Sequence, residues 1–204
     1  MDTRVFWDER YGSRDQLFSG APNGALVTEV ADLPPGQALD VGCGEGADAL
    51  WLAQRGWRVT AVDISRVALR RAAAAATDVA GRVAWLCGDL TTTPPPAGAF
   101  DLVNVQYFPL PRQPHHAALR RLLDAVAPGG TLLFVGHAPA DLPHQDGNGS
   151  TSDDYDQPGD VARLLDDGWV VQVDETRPRT NPTVTPHTHD TVLRARRLRA
   201  EEHR

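Results

Sequence analysis

The chain is 204 residues long, which is enough for one domain with a buried core. Its formal net charge of −7 disfavours a nucleic-acid partner in general, although the arginine-rich residues 194–204 form a local basic stretch. The chain contains no lysine, which excludes a G-x-x-x-x-G-K-[ST] phosphate-binding loop and Schiff-base chemistry.

The two cysteines, Cys43 and Cys87, are too few for a disulfide framework. The N-terminal residues mix acidic, basic and aromatic side chains and lack the apolar core of a signal peptide. No run approaches the ~20 apolar residues of a membrane span. We therefore expect a soluble, cytoplasmic protein without a membrane partner.

Helices are predicted at residues 3–11 and 25–31, before the first strand. Residues 38–65 then indicate a strand, a glycine turn, a helix and a second strand. Three glycines follow the first strand at alternate positions: Gly42, Gly44 and Gly46. They allow a sharp turn whose bare backbone a ligand can approach. Asp63 ends the second strand at a separation that suits an acid binding ribose hydroxyls.

The charges around this turn separate two ligand classes. Residues 42–47, GCGEGA, satisfy the dinucleotide pattern G-x-G-x-x-[GA], in which the turn and the helix N-terminus hold a pyrophosphate. Three carboxylates flank the turn, however: Asp40, Glu45 and Asp48. They would repel a pyrophosphate by roughly several kcal/mol. They favour a ligand that has an ammonium, a sulfonium and no phosphate, such as S-adenosylmethionine.

The remaining elements alternate until the last two strands. We expect helices at 66–78, 114–127 and 158–167, and strands at 82–86, 100–105, 131–135, 169–173 and 190–198. The final two strands have no helix between them, so they pair antiparallel or lie at separate edges. The pattern predicts an α/β, Rossmann-like doubly wound fold with a seven-stranded, mostly parallel sheet and a C-terminal antiparallel hairpin.

Five segments resemble the motifs of class I S-adenosylmethionine-dependent methyltransferases: LDVGCGEG (39–46), VDIS (62–65), CGDL (87–90), FDLV (100–103) and PGGTLLFV (128–135). The resemblance covers nearly the whole chain, and its motifs specify the cofactor and the fold. The compact form is similar to the tellurite-resistance and thiopurine methyltransferases, which act on soft heteroatoms.

The resemblance implies a role for each matching position in holding the cofactor. The implied cofactor-binding residues are Asp40, Gly42, Gly44 and Gly46 for the methionine part, Asp63 and Ile64 for the ribose, Asp89 and Leu90 for the adenine, and Asn104 beside the methyl group. Residues 6–11, FWDERY, are similar to N-terminal segments that fold over the cofactor as a lid. Tyr11 then either contacts the cofactor or only docks the helix.

The resemblance also implies three regions: an N-terminal helical lid (1–33), a cofactor-binding core (34–136), and an acceptor-side loop with the C-terminal hairpin (137–204). Because ligands bind outside the carboxyl ends of parallel strands, Tyr107 and His137 are the candidate catalytic residues. Gln106 is expected to shape the acceptor pocket. The short chain leaves little room for a macromolecular recognition domain, so we expect a small-molecule acceptor and no nucleic acid.

The other histidines and acids leave alternatives open. His187 and His189 would share one face of a strand and could form half of a metal site with His137 or His144, but we expect no metal. His115 and His116 are expected to face solvent in the first turn of a helix. The acidic residues 138–157 form either a mobile lid or a solvated loop.

Two other functions remain possible from the sequence. The first is a protein that binds S-adenosylmethionine without transferring its methyl group, as a sensor or partner subunit. The second is a nicotinamide-dependent oxidoreductase, which the acidic glycine turn and the predicted C-terminal hairpin both oppose.

Overall fold

A single seven-stranded sheet organises the described part of the chain. The computed structural model describes residues 2–79, 81–141, 151–180 and 187–203. The strands are β1 (Gln37–Val41), β2 (Arg58–Asp63), β3 (Val83–Cys87), β4 (Phe100–Gln106), β5 (Val126–His137), β6 (Trp169–Pro178) and β7 (His189–Arg197). The α-helices are α1 (Thr3–Gly12), α2 (Gly24–Val30), α3 (Ala47–Gln54), α4 (Arg66–Ala75), α5 (Ala117–Ala125) and α6 (Pro158–Leu164).

The strand order is β3-β2-β1-β4-β5-β7-β6. The first five strands are parallel, whereas β7 pairs antiparallel with both β5 and β6. The order reverses between β1 and β4, which leaves a crevice at their carboxyl ends where open α/β sheets bind ligands. The predicted fold class, including the antiparallel C-terminal hairpin, is confirmed.

The apolar sequence of the central strands explains their burial. Most side chains of β1, β4 and β5 are buried, as expected for central strands that are covered on both faces. The edge strands β3 and β6 are largely exposed instead. Leu193 of β7 is fully buried and lies opposite Phe134 of β5, which ties the hairpin into the core.

Local side-chain chemistry sets several helix ends. Ser65 caps α4 by accepting a hydrogen bond from the backbone N–H of Ala68 at 3.2 Å. The predicted helix over 66–78 ends at Ala75 and continues only as a short 3₁₀ turn. The predicted helix over 114–127 begins at Ala117, because His115 and His116 have φ values of 55° and 54°.

No helix within the described residues has the length and hydrophobicity that crossing a membrane requires.

The burial of Leu193 gives a test of the hairpin's contribution to stability. Leu193→Ala should lower the free energy of unfolding by about 2–5 kcal/mol, because it removes methyl groups from a packed site. Val170→Ala on the exposed edge strand should change it by less than ~0.5 kcal/mol. Urea unfolding of both variants measures the difference, and equal values for both would contradict the packing described here.

Candidate active site

A cavity of about 490 Å³ opens at the carboxyl ends of the central strands. The glycine turn after β1 forms its floor, and the N-terminal residues 7–23 contribute part of its wall. Residues that follow β4 and β5 line the opposite end. The cavity therefore lies where the sheet topology and the glycine motif both predict a ligand.

The turn needs glycine for two physical reasons. Gly42, Gly44 and Gly46 all have positive φ, at 65°, 53° and 86°. A Cβ at Gly42 would collide with the ring of Phe108, and one at Gly44 would lie 2.7 Å from the hydroxyl of Tyr11. Neighbouring aromatic side chains thus approach the bare backbone as closely as a ligand could.

Asp63 joins the glycine turn to the end of β2. One carboxylate oxygen accepts a hydrogen bond from the N–H of Gly44 and the other from the N–H of Ser65, both at 2.8 Å. Burial raises the pKa of Asp63, and these backbone donors oppose the rise. Ile64, the next residue, also lines the cavity.

Asp40 supplies a buried carboxyl beside the glycine turn. Its Oδ1 accepts a hydrogen bond of 2.8 Å from the Asn104 amide, whose oxygen in turn accepts one of 2.8 Å from Gln106. Its Oδ2 makes no well-formed hydrogen bond within the described residues, although the backbone N–H of Ala49 interacts with the carboxyl. Burial, and then the nearby charge of Asp48, raise the pKa of Asp40 well above its ordinary value. Asn104 therefore lies behind Asp40 and orients it, outside the cavity wall.

The other two carboxylates of the turn hold the N-terminal segment. Glu45 accepts hydrogen bonds from the N–H groups of Leu17 and Phe18 and pairs with Arg71 at 2.9 Å. Asp48 accepts from the backbone and the side chain of Asn23, at 2.7 and 2.8 Å. The interpretation that all three acids serve a cationic ligand is thus incomplete, because two of them already have protein donors.

The two residues predicted to bind the adenine, Asp89 and Leu90, do not line the cavity. Asp89 accepts hydrogen bonds from the backbone and the hydroxyl of Thr91, at 2.9 and 2.6 Å, so its carboxylate closes a local turn. Leu90 is buried in the core. Neither residue is among those that line the cavity. Tyr11, by contrast, is buried and lines it.

The end of the cavity that lies beyond β4 and β5 contains a stack of rings. Tyr107 follows β4 with a φ of 52°, and its ring stacks on His137 at 4.5 Å between centroids. The ring of His187 also stacks on the ring of His137, at 3.9 Å between centroids. The guanidinium of Arg179 lies 4.8 Å from the Tyr107 ring centroid. Burial lowers the pKa of His137 to about 4, so its imidazole is neutral at neutral pH.

The structure changes the interpretation of the other histidines. His187 precedes β7, so it does not share a strand face with His189, which is exposed and bonds Thr188. The described residues contain no group of three His, Cys, Asp or Glu side chains that could hold a metal. His144 lies outside the described residues. His116 was expected to face solvent, but its Nδ1 forms a hydrogen bond with the buried carboxyl of Asp156.

The acidic stretch 138–157 is described only at its two ends, since residues 142–150 lie outside the described part. Asp141 accepts hydrogen bonds from the N–H groups of Thr188 and His189, at 2.6 and 2.8 Å. Asp154 closes a turn by accepting from Thr151 at 2.7 Å. These acids have structural partners, and the choice between a lid and a loop stays open.

Trp7, Arg10 and Phe18 line the cavity and belong to the N-terminal region predicted to cover the cofactor, although the sequence did not single them out. The sequence analysis missed Phe108 and Arg179, which also line the cavity. Phe108 lies two positions after the end of β4, and ligands bind beyond the carboxyl ends of parallel strands, so its position could have predicted a place in the site. No sequence signal indicated Arg179, because only tertiary contacts bring the connection between β6 and β7 to this end of the sheet.

The buried Asp40 yields a stability prediction. A carboxylate whose pKa is raised in the fold destabilises it when ionised, so stability falls as the pH rises above the ordinary value of an aspartate. Asp40→Asn should therefore raise the free energy of unfolding at pH 7 by about 1–2 kcal/mol, and the gain should shrink as the pH falls. The exposed Asp32→Asn is the control. Thermal melts of both variants at pH 5 and pH 7 measure the gain in stability, and an equal change in both variants would contradict the prediction.

The contacts of Glu45 yield a second prediction. Glu45→Gln removes a charge that binds two backbone N–H groups and Arg71, so residues 13–23 should detach more often. Limited proteolysis should then cut this segment about 5–30-fold faster, as expected for a loss of about 1–2 kcal/mol. Glu9→Gln is the exposed control, and unchanged cleavage in Glu45→Gln would show that the segment is held elsewhere.

Comparison with known proteins agrees with this geometry. Residues 38–130 match the family model described as "Methyltransferase domain". An uncharacterized methyltransferase of Mycobacterium bovis is 40% identical over 111 residues, which are 54% of this chain and 55% of that protein. The chain thus spans about half the length of the curated relatives it matches.

Two solved structures share the fold. One, titled "Conversion of a Disulfide Bond into a Thioacetal Group during Echinomycin Biosynthesis", covers 96% of this chain and 92% of its own, with a TM-score of 0.69 and 24% identity. The N-methyltransferase NodS from Bradyrhizobium japonicum, in complex with S-adenosyl-L-homocysteine, covers 96% and 89%, with a TM-score of 0.63 and 19% identity. Residues 38–130 thus match a methyltransferase domain, and the described part of the chain shares the fold of these solved structures, one of which is an N-methyltransferase in complex with S-adenosyl-L-homocysteine.

Proposed function

We propose that this protein transfers the methyl group of S-adenosylmethionine to a small-molecule nucleophile. The single observation that carries the proposal is one cavity that joins a bare glycine turn, the buried carboxyl of Asp40, and a separate end lined by aromatic rings. The first two features suit a cationic, phosphate-free cofactor. The ring-lined end suits an acceptor.

The residues present fit this cofactor. The buried carboxyl of Asp40 lines the cavity and interacts with the Asn104 amide and the backbone N–H of Ala49, and an ammonium group would supply a further donor to it. Each oxygen of Asp63 accepts one backbone N–H and retains a lone pair for a ribose hydroxyl. We also propose that residues 1–33 act as a lid, since Tyr11 and Phe18 line the cavity.

S-adenosylmethionine, when bound, supplies a methyl group that its sulfonium already activates. The chain therefore needs mainly to align the acceptor and to exclude water. Tyr107 and His137 line the acceptor end, where the neutral imidazole of His137 can accept a hydrogen bond from the acceptor. An acceptor whose S–H or N–H can donate a hydrogen bond to this imidazole, such as a thiol or a neutral amine, fits these residues best.

The small-molecule acceptor is supported by the enclosed position of this end. Residues 7–23 cover one side of the cavity, and Arg179 and His187 cover another. The net charge of −7 also disfavours a long polyanion near this surface.

A binding experiment tests the cofactor assignment. Isothermal titration calorimetry should show that S-adenosylhomocysteine binds the protein, whereas the oxidised nicotinamide dinucleotide should not. Asp63→Asn should weaken S-adenosylhomocysteine binding by about 10–100-fold, since hydrogen bonds to a charged group contribute about 1.5–3 kcal/mol. Asp32→Asn is the matched control, and absence of S-adenosylhomocysteine binding in the wild type would contradict the proposal.

A turnover experiment tests the transfer itself. S-adenosylmethionine is incubated with the protein and with thiols, amines, hydroxyl compounds, chalcogen oxyanions or ribosomal RNA, and S-adenosylhomocysteine is measured by mass spectrometry. Product should form with a small molecule and should not form with RNA. Cofactor binding without product from any acceptor would instead support a binding protein, and product from RNA alone would overturn the small-molecule assignment.

A further inference from the structure

The rings at the acceptor end form one layered unit, which we call the ring stack: Arg179, Tyr107, His137 and His187. The planes of Tyr107 and His137 are inclined by 23°, and those of His137 and His187 by 16°. His137 is thus packed against two rings that come from distant parts of the chain. Its Nδ1 is buried and has no hydrogen-bond partner in the described residues.

Both rings that stack on His137 are themselves fixed. Tyr107 is paired with the buried carboxyl of Asp190, which also lies 3.4 Å from Arg179. His187 interacts through Nδ1 with the backbone oxygen of Asp141 at 3.0 Å. The carboxylate of Asp141 in turn accepts the N–H groups of Thr188 and His189, which fixes the chain next to His187.

We propose that His187 is a positioning residue that clamps His137 against Tyr107, fixes the orientation of its imidazole and shields one of its faces from water. The inference rests on the proposed function, because the clamped imidazole is the group that would meet the methyl acceptor. His137, Arg179 and His187 all lie outside residues 38–130, the part that matches the family model. The acceptor end is therefore built largely by segments beyond the shared cofactor-binding domain.

The charged and titratable groups around His137 agree with this role. Burial is the largest cause of its lowered pKa, followed by the charges of His187 and Arg179, while Asp141 acts in the opposite direction. Tyr107 remains protonated, because burial and the charge of Asp190 raise its pKa. A clamp that keeps water from one face of His137 is a direct source of the burial contribution.

Nuclear magnetic resonance of the imidazole groups tests the clamp without requiring activity. The signal of His137 is assigned with His137→Gln, and its titration is followed in the wild type, His187→Phe and His187→Ala. The wild-type signal should titrate near pH 4. His187→Phe keeps a stacked ring and should retain most of this low value. His187→Ala exposes the imidazole face and should shift it toward the ordinary ~6.5.

His189→Ala is the matched control, because this exposed histidine lies two positions away and should leave the His137 titration unchanged. Amide spectra verify that each variant folds. Identical His137 titration in the wild type and His187→Ala would overturn the proposal, and so would equal shifts in His187→Phe and His187→Ala.

S-adenosylhomocysteine binding to the wild type is measured in parallel. A wild type that does not bind it overturns the proposed function and, with it, the role assigned here, even if the titrations show the clamp. Binding together with unchanged titration overturns the clamp alone.

Discussion

The hydrogen bonds of Asp63 are the constraint on which the site depends. A single carboxylate at the end of β2 binds the N–H of Gly44 in the turn after β1 and the N–H of Ser65 before α4. Gly44 donates this N–H while its φ is positive. Glycine adopts that conformation freely, whereas other residues adopt it only at an energetic cost. The acid thus fixes the glycine turn, and the turn leaves the cavity open beside Asp40.

The three carboxylates around the turn have different partners. Glu45 and Asp48 bind the N-terminal segment, so the covering of the cavity depends on the same turn that forms its floor. The Oδ2 of Asp40 makes no well-formed hydrogen bond within the described residues, and burial raises the pKa of this carboxyl. A buried acceptor without a well-formed hydrogen bond is costly in a resting protein, and a cationic ligand would relieve that cost. Three neighbouring acids thus connect the N-terminal segment, the glycine turn and the cavity.

The two ends of the cavity have different origins. The cofactor end comes from local sequence motifs within residues 38–130, whereas the ring stack draws His137, Arg179 and His187 from β5 and from the connection between β6 and β7. The antiparallel pairing of β7 with β5 brings these segments together. Local motifs thus build one end of the cavity, whereas contacts between distant segments assemble the other.

The sequence by itself determined the strands, the glycine turn and the acid after β2, because these depend on periodicity and backbone geometry over short distances. It could not determine that Glu45 binds Leu17, that Asn104 lies behind Asp40, or that Asp89 bonds its own turn rather than lining the cavity. It also placed His187 on a strand face, whereas the residue stacks on His137. Only the tertiary structure decided these contacts, because a side chain's partner depends on which distant segment occupies the adjacent space.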